Sequence, residues 1–462
     1  MNKKQGSSVS LPFSRLINLL FIRWKLRKHD NWTRARLLNY QSEKLKVLRT
    51  HTYANSSFYQ RFHAGLFDKP LHELPVLTKQ ELMENWNQIV TDPTLKIDSL
   101  RKFVESLDTP LLYNGEYIVS TTSGTTGLKG IFAFNRNEWL WGLASHGRAT
   151  DWAGAKIGLL NRLRMAVVSS NQPWCKSLLV GASVDTSILP TLRLDSTTPL
   201  RSIVDKLNTF LPDILVSYAE TAKVLAKEQL NGELKISPKM VFASSEVLTS
   251  DAREIILNAW GKEPYNAYAS TESAMLAADC LHHRMHLCED LVIVEVVDGN
   301  NKPVPSGVYG EKLLVTVLFS RTVPLIRYEI SDRVMLADNS ITCSCGKPFA
   351  ILASMQGRVE DIIYLEGEGG KDAVIMPDTF HDILEPAPVS GWQITQESKT
   401  SILVSIVGPH PEYSEQNLAD RMTKRLQEQG AYNPIIRFEI IEKLRQSRSG
   451  KTPLVKALSK ST

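Results

Sequence analysis

Residues 120–130 form a stretch of small hydroxyl and glycine residues, Ser-Thr-Thr-Ser-Gly-Thr-Thr-Gly-Leu-Lys-Gly. Short apolar runs, residues 117–119 and 131–134, flank it on both sides. Such a stretch offers many backbone N–H and hydroxyl donors with little bulk, which suits the oxygens of a polyphosphate. A flexible linker is the alternative, and the apolar flanks disfavour it. The stretch is not the P-loop of the NTPases, because Lys129 precedes a glycine and no Ser or Thr follows that glycine.

Within this stretch, Ser123-Gly124-Thr125-Thr126-Gly127 resembles the phosphate loop of the adenylate-forming enzymes. These include the acyl-CoA synthetases, the firefly luciferases and the adenylation domains of peptide synthetases. The usual loop continues Gly-x-Pro-Lys-Gly after the paired threonines, and this chain is one residue shorter, which points to the phenylacetate–CoA ligase branch. The resemblance implies that the nucleotide phosphates bind at Ser123, Gly124, Thr125, Thr126 and Gly127.

A second motif, Tyr268-Ala269-Ser270-Thr271-Glu272, is similar to the family's Tyr-Gly-x-Thr-Glu. The resemblance implies that the Tyr268 ring stacks on adenine, that the Thr271 hydroxyl reaches the α-phosphate and that Glu272 holds Mg²⁺ on the phosphate oxygens. The small-residue loop beneath the adenine corresponds to Ser244, Ser245 and Glu246. For that loop, a turn into the following helix is the alternative.

Two later segments extend the resemblance. Pro324–Asp332 is similar to the segment that ends in the ribose-binding aspartate, here Asp332. Met355–Asp361 resembles the junction between the large domain and the C-terminal lid. The resemblance implies that Arg358 contacts nucleotide oxygens and that Glu360 is the hinge.

The last signal is Ser447–Lys451, which is similar to the Ser-x-Gly-Lys loop that carries the family's catalytic lysine. The resemblance therefore implies catalytic roles for Lys451, Glu272 and Thr271. A lysine near a C-terminus is otherwise usually a solvated surface residue.

Cysteine and histidine residues near these motifs form a candidate metal site. Two cysteines separated by one residue, together with a distant Cys and His, can close a tetrahedral structural zinc site. The predicted ligands are Cys280, His286, Cys343 and Cys345, with His282 as the alternative nitrogen ligand and His283 and Cys288 as bystanders. Ordinary surface residues near a turn are the alternative. A catalytic zinc is disfavoured, because four protein ligands leave no open position.

Residues 157–260 alternate short apolar runs with helical patterns, which predicts an α/β fold with a largely parallel sheet. Ligands of such sheets bind beyond the carboxyl ends of the strands. With the resemblance, we expect a large N-terminal adenylate-forming domain of mostly parallel sheets, residues 1–357, that begins with basic helices in residues 1–60. A small α+β lid is expected over residues 358–462. Thr78 and Glu81 predict a capping box at the start of a helix.

The composition is that of an ordinary globular protein of 462 residues, 43% hydrophobic and 22% charged, which excludes a mainly disordered or fibrous chain. The longest early apolar run, residues 16–22, is far shorter than the ~20 residues of a membrane span. Five cysteines do not make a disulfide framework in a chain of this length, so we expect a reducing, cytoplasmic location.

The net charge of +5 is unevenly distributed. Residues 1–50 hold twelve Lys and Arg against two acidic residues, so they carry +10 and the remaining chain carries −5. A basic amphipathic start can bind an anionic membrane surface or an acidic carrier protein, and a solvated helix face is the alternative. Nucleic acid is not expected as a partner, because aromatic residues are sparse among the basic ones.

The resemblance implies that a carboxylic acid attacks the α-phosphate of Mg·ATP and forms an acyl-adenylate and pyrophosphate. The acyl group then passes to a thiol, with coenzyme A preferred and a carrier-protein thiol or an amine as alternatives. A degenerate nucleotide-binding or membrane-associated scaffold is the non-enzymatic alternative, and the presence of the key residues argues against it. Trp139, Trp141 and Trp152 favour an aromatic or apolar acid. The oligomeric state is left open.

Overall fold

The computed structural model describes residues 8–122, 129–157, 161–186, 189–358, 361–367, 372–375, 377–446 and 452–458, without the side chains at 357, 358 and 378. The chain forms two compact units. The first consists of Met1–Ile330 with Val334–Ser354, and the second of Ser331–Arg333 with Met355–Thr462.

The helices are α1 (Phe13–His29), α2 (Arg34–Asn55), α3 (Ser57–Phe62), α4 (Lys79–Glu84), α5 (Trp86–Ile89), α6 (Ile97–Glu105), α7 (Arg136–Trp152), α8 (Lys176–Val184), α9 (Leu200–Phe210), α10 (Ala219–Leu230), α11 (Ser250–Trp260), α12 (Pro377–Leu384) and α13 (Glu415–Glu428), with a 3₁₀ turn at Leu71–Glu73. The strands are β1 (Ile118–Thr121), β2 (Ile131–Phe134), β3 (Met165–Ser169), β4 (Thr191–Asp195), β5 (Ile214–Tyr218), β6 (Met240–Ser244), β7 (Tyr265–Ser270), β8 (Ala274–Asp279), β9 (Met285–Leu287), β10 (Val292–Val297), β11 (Lys312–Val317), β12 (Tyr328–Ile330), β13 (Asp332–Leu336), β14 (Ile351–Arg358), β15 (Ile363–Glu366), β16 (Asp372–Ile375), β17 (Val389–Gln396), β18 (Ser401–Pro409), β19 (Ile435–Ile441) and β20 (Val455–Lys456).

The largest sheet has nine strands in the order β13-β14-β9-β8-β7-β6-β5-β3-β4. Strands β4, β3, β5, β6 and β7 are parallel neighbours, whereas β7, β8, β9 and β14 pair antiparallel. The predicted α/β class is therefore confirmed. The sheet is mixed, and its parallel part coincides with the segment in which strands and helices alternate along the sequence.

Helices α9, α10 and α11 cover the parallel strands with apolar side chains. Leu207 of α9 and Leu225 of α10 are completely buried and share one core cluster with Val168 of β3. Burying a side chain of this size stabilises the fold by about 1.5–3 kcal/mol. This packing holds the parallel strands against the helices that cover them.

Helix starts follow the sequence signals. The Thr33 hydroxyl accepts a hydrogen bond from the backbone N–H of Arg36 at the start of α2, at 3.3 Å. The predicted capping box at the start of α4 is confirmed, because Thr78 and Glu81 each accept a hydrogen bond from the other's backbone N–H.

A buried ion pair fixes helix α1 within the first unit. The Asp290 carboxylate accepts hydrogen bonds from Arg148 Nη2 at 2.7 Å and from His29 Nδ1 at 2.6 Å. Arg148 also donates to the carbonyl of Leu26 at 3.1 Å. Burial raises the pKa of the Asp290 carboxyl, but the adjacent guanidinium outweighs burial and lowers it to about 2. The end of α1 is thus anchored by charge as well as by packing.

Two small antiparallel sheets complete the first unit: the β1–β2 hairpin, and β10-β11-β12. The second unit contains the β15–β16 hairpin and a four-stranded sheet in the order β19-β18-β17-β20. Helices α12 and α13 bury Phe380 and Met422 in the same core as Ile402 of β18. Over the described part of the chain, no helix combines the length and the apolar character that crossing a bilayer requires.

Candidate functional site

The candidate site begins at the carboxyl ends of the parallel strands. Strand β6 lies between β5 and β7, and Ser244 at its end pairs in register with Tyr218 on one side and Ala267 on the other. The loops that follow Ser244 and Ser270 therefore start at neighbouring points of one sheet edge. This edge is where an open α/β sheet binds its ligands.

The Tyr268–Glu272 segment forms the end of β7 and the turn into β8. The register shifts at Tyr268/Ala269, and the Ser270 hydroxyl accepts a hydrogen bond from the backbone N–H of Ser273 at 3.1 Å. Tyr268 is largely buried, whereas Thr271 and Glu272 are partly exposed. The bulge and the turn thus bring a hydroxyl and a carboxylate to the surface of the sheet edge.

Lys176, the first residue of α8, contacts this turn, and no sequence signal pointed to it. Its Nζ donates a hydrogen bond to the carbonyl oxygen of Thr271 at 2.9 Å, and the ammonium lies 4.3 Å from the centre of the Phe134 ring. Burial lowers the pKa of Lys176 to about 7, and the nearby charge of Glu272 acts in the opposite direction. A partly buried lysine whose pKa is lowered therefore sits beside the predicted magnesium ligand.

His146 of α7 is a second residue that the sequence did not single out. Its Nε2 is buried, and no hydrogen-bond partner for this atom lies among the described residues. Burial lowers the pKa of His146 to about 3, and the charge of Lys176 contributes. The ring is therefore neutral at physiological pH.

The base of the predicted phosphate loop is tied to the same region. The Ser120 hydroxyl and the Thr121 N–H both donate to the carbonyl of Trp174, at 3.1 and 3.2 Å. Thr122 N–H donates to the carbonyl of Gly130 at 3.0 Å, which closes the hairpin below the loop. Ser123, Gly124, Thr125, Thr126 and Gly127 lie outside the described residues. Trp174 is two residues before Lys176, so the hairpin base and the Tyr268–Glu272 turn are joined through one short segment.

The loop that begins at Ser244 has a structural contact of its own. Ser245 adopts a left-handed backbone with φ of 65°. Glu246 accepts a hydrogen bond from the backbone N–H of Glu220 in the first turn of α10, at 3.0 Å. A carboxylate there satisfies an unpaired N–H and the positive end of the helix dipole. Glu246 thus stabilises the start of α10, and its predicted nucleotide role remains a separate prediction.

The other predicted nucleotide residues lie at or beyond the junction of the two units. Asp332 is buried at the first position of β13. Arg358 is the last residue of β14, and its side chain is outside the described part. Glu360, the predicted hinge residue, and Lys451, the predicted catalytic lysine, also lie outside the described residues.

The four predicted metal ligands come together. The ligand atoms of Cys280, His286, Cys343 and Cys345 all lie within 4.8 Å of one another. The sulfur atoms of Cys280 and Cys343 are 3.7 Å apart, and Cys345 Sγ lies 3.2 Å from His286 Nε2. A tetrahedral site with Zn–S bonds of ~2.3 Å separates two sulfur atoms by about 3.8 Å. The donor set and its spacing fit zinc.

Surrounding groups orient the histidine of this cluster. His286 Nδ1 donates to the carbonyl of Phe349 at 3.1 Å, which leaves Nε2 facing the cysteines. Trp152 packs on His286 with ring centres 6.0 Å apart. His283 instead lies against Tyr265 at 4.6 Å. Burial raises the pKa of the Cys288 thiol to about 12.

The tryptophans divide between two regions. Trp139 is buried, donates through Nε1 to the Ser183 hydroxyl at 3.0 Å, and has Lys176 Nζ 5.8 Å from its ring centre. Trp152 lies beside the Cys/His cluster. Trp141 is partly exposed on α7. Of these three tryptophans, Trp139 is the one that lies near Lys176 and the Tyr268–Glu272 turn.

Comparisons with known proteins bear on the fold. No protein-family model matches the sequence. Protein CapK of Staphylococcus aureus is 22% identical over 440 residues, and the match covers 90% of this chain and 88% of that protein.

Among solved structures, 2-hydroxyisobutyryl-CoA ligase in the postadenylation state, in complex with R3-HIB-AMP, aligns with a TM-score of 0.72 at 18% identity. That alignment covers 94% of this chain and 91% of the ligase. The anthranilate CoA ligase AuaEII, in complex with anthranoyl-AMP, aligns with a TM-score of 0.51 at 13% identity, covering 72% of this chain and 65% of that one. The chain therefore has the fold of the adenylate-forming CoA ligases, as its sequence predicted.

Proposed function

We propose that this protein is an adenylate-forming acid–thiol ligase that activates a carboxylic acid with ATP and transfers the acyl group to coenzyme A. One observation carries this proposal. The Tyr268–Glu272 segment lies at the carboxyl edge of the sheet, in a fold that aligns over 94% of the chain with a CoA ligase solved in complex with R3-HIB-AMP. The phenylacetate–CoA ligase branch is part of the proposal and rests on the shortened loop.

The first step is a displacement at phosphorus. A carboxylate oxygen of the acid bonds to the α-phosphorus of ATP while the bond to the bridging oxygen breaks, and pyrophosphate leaves with the electron pair. Negative charge builds on that leaving group, and the N–H groups of residues 123–127 and the ammonium of Lys451 offset it. In the second step a thiolate sulfur bonds to the acyl carbon and AMP leaves.

The residues at the sheet edge suit the nucleotide. Glu272 fits a Mg²⁺ ligand, because its carboxylate is partly exposed on the turn after β7 and Mg²⁺ prefers carboxylate and phosphate oxygens. When bound, the ion neutralises charge on the phosphates. We assign the adenine to Tyr268, the α-phosphate to Thr271, the ribose to Asp332 and further nucleotide oxygens to Arg358.

For the acid substrate we propose only a chemical class, an aromatic or apolar carboxylic acid. The buried rings of Phe134 and Trp139 lie 5.9 Å apart, and both are close to Lys176, which contacts the Tyr268–Glu272 turn. Their position supports an aromatic or apolar acid. Trp152 no longer supports it, because that ring packs on His286. Lys176 adds one polar position beside the rings of Phe134 and Trp139.

The Cys/His cluster is proposed to hold one structural zinc. Its four donors leave no open position, and zinc would join the segment around Cys280 to the segment around Cys343. The five cysteines form no disulfide in the described residues, as is usual in a reducing compartment, so we propose a cytoplasmic location.

The domain division at residues 357/358 is proposed to serve two half-reactions. By the family resemblance, the lid, residues 358–462, turns about Glu360 and presents Lys451 only for adenylation. Lys451→Ala should abolish acid-dependent pyrophosphate exchange and spare thioester formation from a supplied acyl-adenylate. Glu360→Pro, which fixes φ at the hinge, should spare adenylation and block the second step if it traps the first state. Equal loss of both half-reactions in Lys451→Ala would contradict the proposal that the lid presents Lys451 only for adenylation.

An acid panel tests the proposed reaction. Purified protein with Mg·ATP is offered aromatic, aliphatic and hydroxy acids, and pyrophosphate release is measured with and without coenzyme A. We expect release that depends on the acid, with an acyl-CoA product identified by mass spectrometry. A product formed only with a carrier-protein thiol or an amine would select those alternatives. Binding of ATP without any acid-dependent release would favour the degenerate scaffold.

A further inference from the structure

Helix α1 is apolar on two opposite faces. Its inner face buries Leu19, Ile22 and Leu26, and the Arg148–Asp290 pair anchors its end. Its outer face carries five large apolar side chains that are 49% to 78% exposed: Phe13, Ile17, Leu20, Phe21 and Trp24. The helix therefore keeps a second apolar surface after the fold has used the first.

These five side chains form one continuous stripe. An α-helix turns by about 100° per residue, so positions 13, 17, 20, 21 and 24 fall within an arc of roughly 100°, opposite the buried positions. Single exposed apolar residues are ordinary on a protein surface, whereas a contiguous apolar patch marks an interaction site.

Basic side chains border the stripe on both sides. Lys28 Nζ lies 3.7 Å from the centre of the Trp24 ring, and Lys25 Nζ lies 4.5 Å from the centre of the Phe21 ring. On the other side Arg27 is half-exposed and pairs with Asp151. The long stems of Lys side chains can follow an apolar surface while their ammonium groups reach a polar layer.

We propose that α1 is a membrane-surface helix that lies flat on an anionic lipid bilayer, with its apolar stripe inserted at the headgroup boundary. A stripe of Phe, Leu and Trp with basic borders is the pattern of such helices. Anionic lipids attract the local charge of +10 in residues 1–50. A second copy would bring two such basic regions together, so the charge disfavours self-association as the occupant. This inference does not depend on the proposed ligase activity.

Vesicle co-sedimentation of the full chain tests the proposal. The probes are vesicles of phosphatidylcholine alone and of phosphatidylcholine with phosphatidylglycerol. We expect binding to the anionic vesicles, weakening as salt is raised, and at least tenfold weaker binding to the neutral ones.

Paired variants separate the stripe from general surface effects. Phe21→Ser with Trp24→Ser should weaken binding to anionic vesicles at least tenfold. The matched control is Leu38→Ser with Val47→Ser, two apolar residues of similar exposure on α2, and it should bind like the parent. Lys25→Glu with Lys28→Glu should also lose binding, whereas Lys96→Glu with Lys262→Glu, the same charge change elsewhere, should not.

Three results would overturn the proposal. The first is the absence of binding to anionic vesicles by a folded, monodisperse chain. The second is binding that the stripe variants leave unchanged. The third is the absence of vesicle binding together with a different complex, either a dimer in sedimentation velocity or a complex with an acidic carrier protein. In that case the Phe21→Ser with Trp24→Ser variant would no longer form the complex.

Discussion

The Cys/His cluster and the sheet-edge site present their polar side chains in opposite ways. In the cluster, four donors face one another within 4.8 Å, and a backbone carbonyl orients the histidine. At the sheet edge, Thr271 and Glu272 are partly exposed, and Lys176 holds their turn from one side. The cluster is closed by the chain itself, whereas the sheet edge directs a hydroxyl and a carboxylate outward.

This difference indicates how the two regions should respond to change. Loss of a ligand in the closed cluster removes a cross-link between distant segments, so the effect should appear in metal content and stability. Loss of an outward-facing group removes an interaction with substrate, so the effect should appear in binding and rate with little change in folding. Substitutions in the two regions should therefore give different readouts, and that contrast tests both assignments.

The largest effect is expected from the cluster. Protein purified without chelators should contain about one zinc per chain, and Cys343→Ser should lose that metal and lower the melting temperature by several degrees. Metal analysis and thermal unfolding measure both effects. The matched control is Cys288→Ala, a buried cysteine outside the cluster, which should keep its metal. A parent protein that contains no metal would remove zinc from this account.

Next in size is the loss of the carboxylate at the sheet edge. Glu272→Gln should lower kcat/KM for acid-dependent pyrophosphate release by about a hundredfold or more, because charge stabilisation of the transition state is lost. Its melting temperature should stay near that of the parent. Glu233→Gln, which removes an exposed carboxylate paired with Arg201, is the matched control and should keep full activity. Equal activity of Glu272→Gln and the parent would contradict the assigned role.

A smaller effect is expected for the ribose contact. Asp332→Ala should weaken binding of a non-hydrolysable ATP analogue roughly tenfold or more, because a charged hydrogen-bond acceptor contributes about 1.5–3 kcal/mol. Calorimetry measures this directly. Asp338→Ala, at an exposed aspartate that pairs with Ser340, should bind like the parent. Unchanged affinity in Asp332→Ala would move the ribose site elsewhere.

The smallest effect is expected at Lys176. Replacing it with Met removes one hydrogen bond to the Thr271 carbonyl, worth about 0.5–1.5 kcal/mol, so adenylation should slow a few-fold to about tenfold. Lys235→Met, at an exposed lysine, is the control. If Lys176→Met instead lowers the melting temperature and leaves the rate intact, the lysine belongs to the fold rather than to the site.

The sequence predicted those features that depend only on local patterns or on residue type. The α/β fold followed from alternating runs, and Cys280 and Cys343 were paired by type although 63 positions separate them. The contact of Lys176 with the site could not be predicted, because it depends on where α8 starts relative to the turn at Thr271. The packing of Trp152 on His286 could not be predicted either, because helical spacing does not show which residue of another element a side chain contacts. Glu246 as a partner of α10 likewise depends on the packing of two loops.

One measurement tests the central claim most directly: exchange of labelled pyrophosphate into ATP, with acid and without coenzyme A. Label enters ATP only when an acyl-adenylate forms reversibly, so neither the acceptor nor the second half-reaction is involved. The account predicts exchange that requires an acid and is lost in Glu272→Gln. Exchange that is absent with every acid offered, from a folded protein that binds ATP, would contradict the claim that this chain forms an acyl-adenylate.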